Sequence, residues 1–403
     1  MRQYISNEKY ELIKDNLDSK DTYVVVNEEN VDKVAFVTNN ITGENTKYEI
    51  IPGGGSNKTC SFKFNSDGEF QFNKLGYGSY YLKVNDGEWT EYTTSQTVSV
   101  VNGDVIELKS NVLQLVNSAL SFNDNPNSTT AVSWELEGDL LGTLYGDTFP
   151  IKGCFNMFKG CTGLTKVPND MFANYEYIPE RGCTGMFYGC TGLTTAPALP
   201  ATTLAEYCYQ SMFQECTSLT TAPALPATTL ADYCYSQMFY KCSGLTTAPA
   251  LPATTLAAYC YEKMFYNCTG LTTAPELPAT TLVSNGYNNM FYGCTSLTTA
   301  PALPATTLSN NCYYGMFQGC TSLTTAPELP ATTLANWCYA YMFKGCKLIN
   351  YIKCLATTNI DQYTTNYWLD GVSTTGTFVK AANAPWSPGR YGIPSGWTVE
   401  VAA

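Results

Sequence analysis

Seventeen cysteines and no histidine set the terms for any chemistry this chain could do. Histidine is the commonest general base and metal ligand, so Ser/His and Cys/His nucleophile pairs are excluded at once. The cysteines recur in two series: Cys208, Cys234, Cys260, Cys312 and Cys338, and then Cys190, Cys216, Cys242, Cys268, Cys294, Cys320 and Cys346. If coils stack in register, neighbours in a series come within the roughly 4.4–6.8 Å Cα reach of a disulfide. Yet Gly286 interrupts the first series without disturbing its step, and the total is odd. Buried thiols acting as small hydrophobes are therefore expected. No Cys-x-x-Cys pair exists for zinc, so no metal and no other cofactor is expected.

Tyrosine and threonine are the remaining candidates. Tyr188, Tyr240, Tyr266 and Tyr292 each follow Met-Phe, at an outward position, where a stripe of rings could stack on sugars or fit a protein groove. The same rings could instead pack between coils or against another subunit. Thr-Thr pairs that include Thr195, Thr221, Thr247 and Thr273 could present a hydroxyl array on a strand face, or serve only as a structural ladder. Carboxylates are sparse: between Cys183 and Cys346 stand Glu206, Glu215, Asp232, Glu262, Glu276 and Glu328, and none forms a repeated pair suited to acid/base work. The expectation is a binding protein, not an enzyme.

What positions these residues is a repeat. Met-Phe recurs at Met157, Met186, Met212, Met238, Met264, Met290, Met316 and Met342, one step of 29 residues and then six of 26. Between these marks, Leu-Thr-Thr-Ala-Pro-(Ala/Glu)-Leu-Pro-Ala-Thr-Thr-Leu begins at Leu193, Leu219, Leu245, Leu271, Leu297 and Leu323. Leu204, Cys208, Met212 and Cys216 stand four apart, with Tyr209 and Phe213 beside them, and predict a short helix with a wide apolar face. Thr202 or Thr203 would cap it. The variable positions Glu206, Gln210 and Gln214 then point outward. Cys208, Met212, Phe213, Cys216, Met238, Phe239, Met264 and Phe265 are the predicted core. Leu193–Leu199 reads as the stacking strand, shortened by Pro197. One coil buries too little apolar surface to offset its ordering entropy, so coils are stable only when stacked.

The flanks read differently. Residues 7–19 predict a short amphipathic helix, Tyr23–Val26 and Val34–Val37 strands, and Gly53–Gly55 a linker. From Cys60 to Ser110, alternating runs are separated by Asp67-Gly68, Asp86-Gly87 and Asn102-Gly103, read as hairpin turns of a small antiparallel β-sandwich. The tail holds Trp368, Trp386 and Trp397 among Gly and Pro, suited to an irregular cap, with a sugar platform as the other possibility. The expected division is an N-terminal module at 1–55, a sandwich at 56–125, a connector and cap at 126–150, repeats at 151–350 and a C-terminal cap at 351–403. With 22 Lys plus Arg against 34 Asp plus Glu, the net charge of −12 opposes docking on nucleic acid or anionic lipid. No stretch is apolar enough for a membrane helix, and the run from Met1 to Lys9 has no apolar signal core, so neither membrane insertion nor the usual export is expected.

Met-Phe-x-x-Cys-Thr-Ser-Leu-Thr-Thr-Ala-Pro resembles the BspA-like leucine-rich repeats of bacterial surface proteins. The likeness extends to Trp89-Thr-Glu-Tyr-Thr-Thr-Ser-Gln-Thr-Val-Ser-Val-Val-Asn-Gly-Asp-Val, similar to the Ig-like β-domain that precedes such repeats, and to Gly376-Thr-Phe-Val-Lys with Gly392-Ile-Pro-Ser-Gly-Trp-Thr-Val, similar to their ending. About 57–403 is covered. The resemblance implies a mixed α/β leucine-rich-repeat solenoid, each coil giving one short strand and one helical or 3₁₀ turn, with no common catalytic residues. It also implies adhesion to host-surface protein or carbohydrate. Such proteins occur on gut bacteria and in genomes of phages that infect them. A leaderless chain with a surface-type domain suits a virion surface, where residues 1–55 would bind other virion proteins; a bacterial cell-surface adhesin is the alternative. A homo-oligomer is possible in either setting.

Overall fold

A computed structural model of the chain describes residues 59–402 except 75–79, 111–119, 127–130 and 146–148, and before them the backbone of four short segments. These are β1 (Arg2–Ser6), β2 (Thr22–Val26), β3 (Val34–Val37) and β4 (Ile50–Ile51), paired in that order, with β1 parallel to β2 and the others antiparallel. The strands read near Tyr23 and Val34 are β2 and β3. The helix read over 7–19 and the Gly53–Gly55 linker lie outside the described residues.

Alternation of apolar and polar residues from Cys60 onward builds two sheets. The first contains β5 (Cys60–Phe64), β7 (Tyr80–Val84), β8 (Thr90–Tyr92), β10 (Val105–Ser110), β12 (Trp134–Gly138) and β13 (Leu164–Lys166), ordered β13-β12-β5-β10-β7-β8. The second is β11-β6-β9, formed by β6 (Gly68–Lys74), β9 (Gln96–Val100) and β11 (Leu120–Asn123). Their apolar faces meet: Phe62 of β5 lies 5.7, 5.1 and 5.2 Å from Phe70, Phe72 and Phe122 of the other sheet. Of the three hairpin turns expected from sequence, only Asp86-Gly87 joins paired strands, β7 and β8. Asp67-Gly68 and Asn102-Gly103 instead carry the chain from one sheet to the other, because β5 and β10 pair with each other and β6 pairs with β9. A tight turn fixes a reversal; the partner is chosen by which apolar face each strand must bury.

The segment read as a connector supplies β12 and one helix, α1 (Leu140–Tyr145). β12 is hydrogen-bonded between β5 and β13, and β13 already belongs to the first coil. The buried Asp124 carboxylate clamps this junction, accepting bonds from Trp134 Nε1 (3.1 Å) and the Gly163 amide (2.7 Å). The repeats thus grow from the edge of a sheet, and their core continues that of the β-domain. Phe122 stacks on Phe158, and the column runs on through Phe187, Phe213, Phe239, Phe265, Phe291, Phe317 and Phe343 with neighbouring centroids 5.1–5.7 Å apart. Cys208, Met212, Phe213, Cys216, Met238, Phe239, Met264 and Phe265 are all fully buried.

No helix forms between Ala205 and Cys216. The amides of Cys208, Gln210, Met212, Gln214 and Cys216 bond the carbonyl three residues back, giving overlapping β-turns. The intervening amides of Tyr207, Tyr209, Ser211, Phe213 and Glu215 reach forward to carbonyls of Asp232, Cys234, Ser236, Met238 and Tyr240 in the next coil, at 2.8–3.1 Å. Half of the donors therefore hold coil to coil, whereas a helix would spend them all internally. Tyr207, Ser211 and Glu215 are third residues of three of these turns and adopt φ of 57°, 54° and 62°, the signature of type II turns. Two residues face in and two face out, with a period of four. Thr202 and Thr203 consequently cap nothing.

Left-handed backbone costs an ordinary side chain about 1–2 kcal/mol, and glycine nearly nothing. The column that contains Gln237 (φ 57°) has glycine at Gly185 and Gly315. Gln237→Gly is expected to stabilise the protein by about 1 kcal/mol once glycine's larger unfolded-state entropy is subtracted. A rise in melting temperature checks this; a fall would contradict the turn assignment.

The stacking strand Leu193–Leu199 shrinks to a single parallel bridge per coil, Thr195 to Thr221 and onward. Proline at Pro197 lacks the amide that would extend it. At the C-terminal end regular strands return. The expected irregular cap contains a parallel sheet of β14 (Tyr351–Cys354), β15 (Thr377–Lys380) and β16 (Thr398–Val401). Here β-branched and aromatic residues replace the Thr-Thr-Ala-Pro run, and the ladder lengthens accordingly. A final set of turns passes through Tyr367 (φ 51°) and Gly371 (φ 74°).

Candidate functional site

Two outward features repeat from coil to coil: threonines on the bridge side and tyrosines on the turn side. Thr195, Thr221, Thr247 and Thr273 fall in one column, continued by Thr299 and Thr325, each bridged to the next. All are exposed. The preceding threonine is engaged with the fold in four of the pairs: Thr194, Thr246, Thr272 and Thr324 donate to the carbonyls of Thr165, Thr220, Thr246 and Thr298 at 3.3, 3.5, 3.1 and 3.2 Å. The bridged threonines have hydroxyls without a partner among the described residues. A second exposed pair, Thr202-Thr203 and its copies, runs alongside. The only charged side chains in the repeated Leu-Thr-Thr to Thr-Thr-Leu segment are Glu276 and Glu328, and Glu328 is paired with Lys353 at 2.9 Å. The face is an exposed hydroxyl array in which the bridged threonines can both donate and accept. A shallow cleft of about 420 Å³ opens at its first rung, beside Thr195, Lys166 and Asn169.

Three of the tyrosines pack between coils, the second of the two arrangements the sequence allows. Tyr240, Tyr266 and Tyr292 stack face to face, with centroids 4.8 and 4.3 Å apart and planes within 11°. Their faces are covered by one another, which leaves edges and hydroxyls outward and withdraws the surface a sugar ring would stack on. Tyr188 stands apart beneath Lys159, whose Nζ is 4.8 Å from the ring, because Gln214 occupies the intervening coil. A second stack is built from tyrosines outside the sequence candidates: Tyr207, Tyr233 and Tyr259 lie 4.7 and 4.4 Å apart, closed at one end by the Arg181 guanidinium 4.2 Å from Tyr207. Its signal was available, since Tyr207, Tyr233 and Tyr259 lie directly before the repeated cysteine; a four-residue period would have put them outside. Loss of hydration in these stacks, reinforced by the neighbouring phenol, pushes Tyr233 and Tyr266 up to about 12.

The thiols are structural. All seventeen are free and buried. In the corner series each Sγ donates to a phenylalanine carbonyl of the preceding coil, as in Cys216 to Phe187 (3.1 Å), Cys242 to Phe213 (2.9 Å) and Cys268 to Phe239 (2.9 Å). Burial pushes Cys242 up to about 12 and its neighbours Cys216 and Cys268 well above the ordinary value of 9.0, so no nucleophilic thiolate is held ready. Among the described residues no group of three or more cysteines and carboxylates is placed to hold a metal ion. Trp368, Trp386 and Trp397 are buried, and their indole N–H groups bond the carbonyls of Gly392, Ala356 and Ser373 at 2.8, 3.1 and 2.8 Å. They close the core and offer no sugar platform.

Comparison with known families adds one finding. A family model described as a BspA type leucine rich repeat region matches residues 155–274 and 235–368, six copies in all. Together the two matches span 214 of the 403 residues. Neither the curated proteins nor the solved structures searched contain a match.

Proposed function

The chain belongs to the BspA-type leucine-rich-repeat family, and on that premise we propose that it is an adhesin displayed on a bacterial cell surface. Repeats of this type are non-catalytic and bind proteins or carbohydrates. The observation that carries the reading is the bridged threonine column. Its residues are exposed, their hydroxyls serve no internal bond, and yet they are identical in all six copies, whereas the outward positions of the turn side vary freely. The bridge asks for a β-branched residue here, and a hydroxyl-bearing one is kept at every rung. In this reading Thr195, Thr221, Thr247 and Thr273 contact the host surface, and Tyr240, Tyr266 and Tyr292 contribute hydroxyl edges at most. Tyr188 stands outside that stripe.

The proposed division has an N-terminal module at 1–55, an Ig-like sandwich at 56–125 joined through 126–150 to a leucine-rich solenoid at 151–350, and a cap at 351–403. Sharing of β12 between sandwich and first coil supports treating 56–403 as one mechanical unit. No helix among the described residues is long and apolar enough to cross a membrane. A virion-surface role, with 1–55 docked on other virion proteins, draws no support from the family match.

Protease treatment of intact, uninfected cells that carry the chain tests the reading. The expected result is loss of the chain from the cells together with loss of their adherence to immobilised mucin and matrix protein. Cells bearing the triple variant Thr221→Val, Thr247→Val, Thr273→Val should keep the protease-sensitive chain but adhere at least tenfold less, since valine preserves the β-branched ladder and removes only the hydroxyl. A chain found only inside cells, or only on released particles, would overturn the cell-surface assignment.

A further inference from the structure

We propose that the cleft behind the last coil binds a carboxylate-bearing sugar residue. The cleft holds about 600 Å³, within the size range of small-ligand sites, and lies between the final turns and the Gly389–Ser395 loop. Arg390 lines it. This guanidinium has no carboxylate partner among the described residues, although the whole chain carries a net charge of −12. It lies over Tyr367, 4.5 Å from the ring centroid, with Tyr391 5.9 Å away, and Tyr367 is itself stacked on Tyr341 at 5.8 Å. A guanidinium that rests on an aromatic ring and has no carboxylate partner presents an open fork to a planar carboxylate.

The rest of the lining fits a polyol. Ser373, Thr374 and Ser395 bring hydroxyls that have no side-chain partner among the described residues and can donate or accept. The one acid present, Asp370, is neutralised by Lys344 at 3.3 Å, so it leaves the positive charge of Arg390 uncancelled while still offering an acceptor. Glycine at Gly371 and Gly389 keeps the rim free of side chains that would block a ring. Acid group, hydroxyls and ring size together describe a uronic or sialic acid residue, the charged unit of many surface glycans. The inference deepens the adhesin reading and rests on it for where such a sugar is met.

The test is titration of the full chain with glucuronic acid and N-acetylneuraminic acid, followed by NMR or calorimetry, with glucose and acetate as the neutral and the sugar-free probes. Saturable binding of at least one acidic sugar is expected, at least tenfold tighter than glucose and acetate. Arg390→Gln should weaken it tenfold or more, Arg390→Lys should restore only part, and the exposed position leaves the melting temperature unchanged. Binding of acetate as tightly as the acidic sugars would reduce the cleft to a simple anion site and overturn the proposal. Unchanged binding in Arg390→Gln, or no saturable binding of either acid, would do the same. Protease-sensitive, adherent cells with a silent cleft would reject this inference alone and leave the adhesin reading intact.

Discussion

Phe265→Ala is expected to cost about 3–5 kcal/mol, the range for emptying a fully buried aromatic site. Phe265 is fully buried and touches the rings of both neighbours in the column, Phe239 at 5.7 Å and Phe291 at 5.6 Å. A stack has no second layer to relax into the hole, and each coil leans only on the two beside it. The loss is therefore local and cuts the column in its middle, so denaturant unfolding should separate into two transitions or shift to a markedly lower midpoint. Excision of Met238–Lys263, one whole 26-residue period, is the control. It brings Phe213 onto Phe265 in unchanged register, and the shortened chain should still fold. A variant Phe265→Ala as stable as the parent would show that the rings do not form the continuous column.

Alkali should unfold this protein abruptly. Burial raises Cys190, Cys216, Cys268, Cys294 and Cys320 well above the ordinary thiol value of 9.0, and Tyr209, Tyr235 and Tyr313 well above the ordinary phenol value of 10.0. Each group keeps its proton in the folded chain and gives it up in the unfolded one. Its contribution is thus intact below the unfolded value and is lost as pH climbs toward the folded one. One group withdraws about 1.4 kcal/mol per pH unit, so the five thiols alone withdraw about 7 kcal/mol per unit above pH 9, comparable with the whole stability of an ordinary domain. The melting temperature should fall steeply between pH 9 and 11, with thiols becoming reactive in the same interval. Persistence of the folded circular-dichroism spectrum at pH 11 would refute the burial of these columns.

The period was legible because duplication wrote it openly: Met-Phe, the corner cysteine and the Thr-Thr pairs each mark a rung. The conformation of the rung was less so. Leu204, Cys208, Met212 and Cys216 look helical over a single turn, but four residues of α-helix overshoot a full turn by about 40°, and twelve by about 120°. A strict step of four held from Leu204 to Cys216 therefore points away from a helix, and the polar pairs Gln210-Ser211 and Gln214-Glu215 between the apolar ones mark the left-handed corners. Gly68 and Gly103 misled for a different reason, since a turn signal cannot say which sheet the next strand will join. The sequence left the tyrosine faces open between ligand contact and packing between coils, because it shows that Tyr240, Tyr266 and Tyr292 are outward but not how closely one ring lies against the next. Arg390 and Tyr367, brought together at the cap, carry no motif.

The forward reach of the turn-side amides gives the stack a sense of direction. Coil after coil, donors such as Tyr207 and Phe213 face the C-terminal neighbour and acceptors face the N-terminal one. A bare C-terminal end would then offer on this side what a bare N-terminal end requires, so uncapped molecules would join head to tail into open filaments and could not close as symmetric pairs there. The clamp at Asp124 and the three tryptophans are, in that light, chain terminators for a polymer that the repeats would otherwise form.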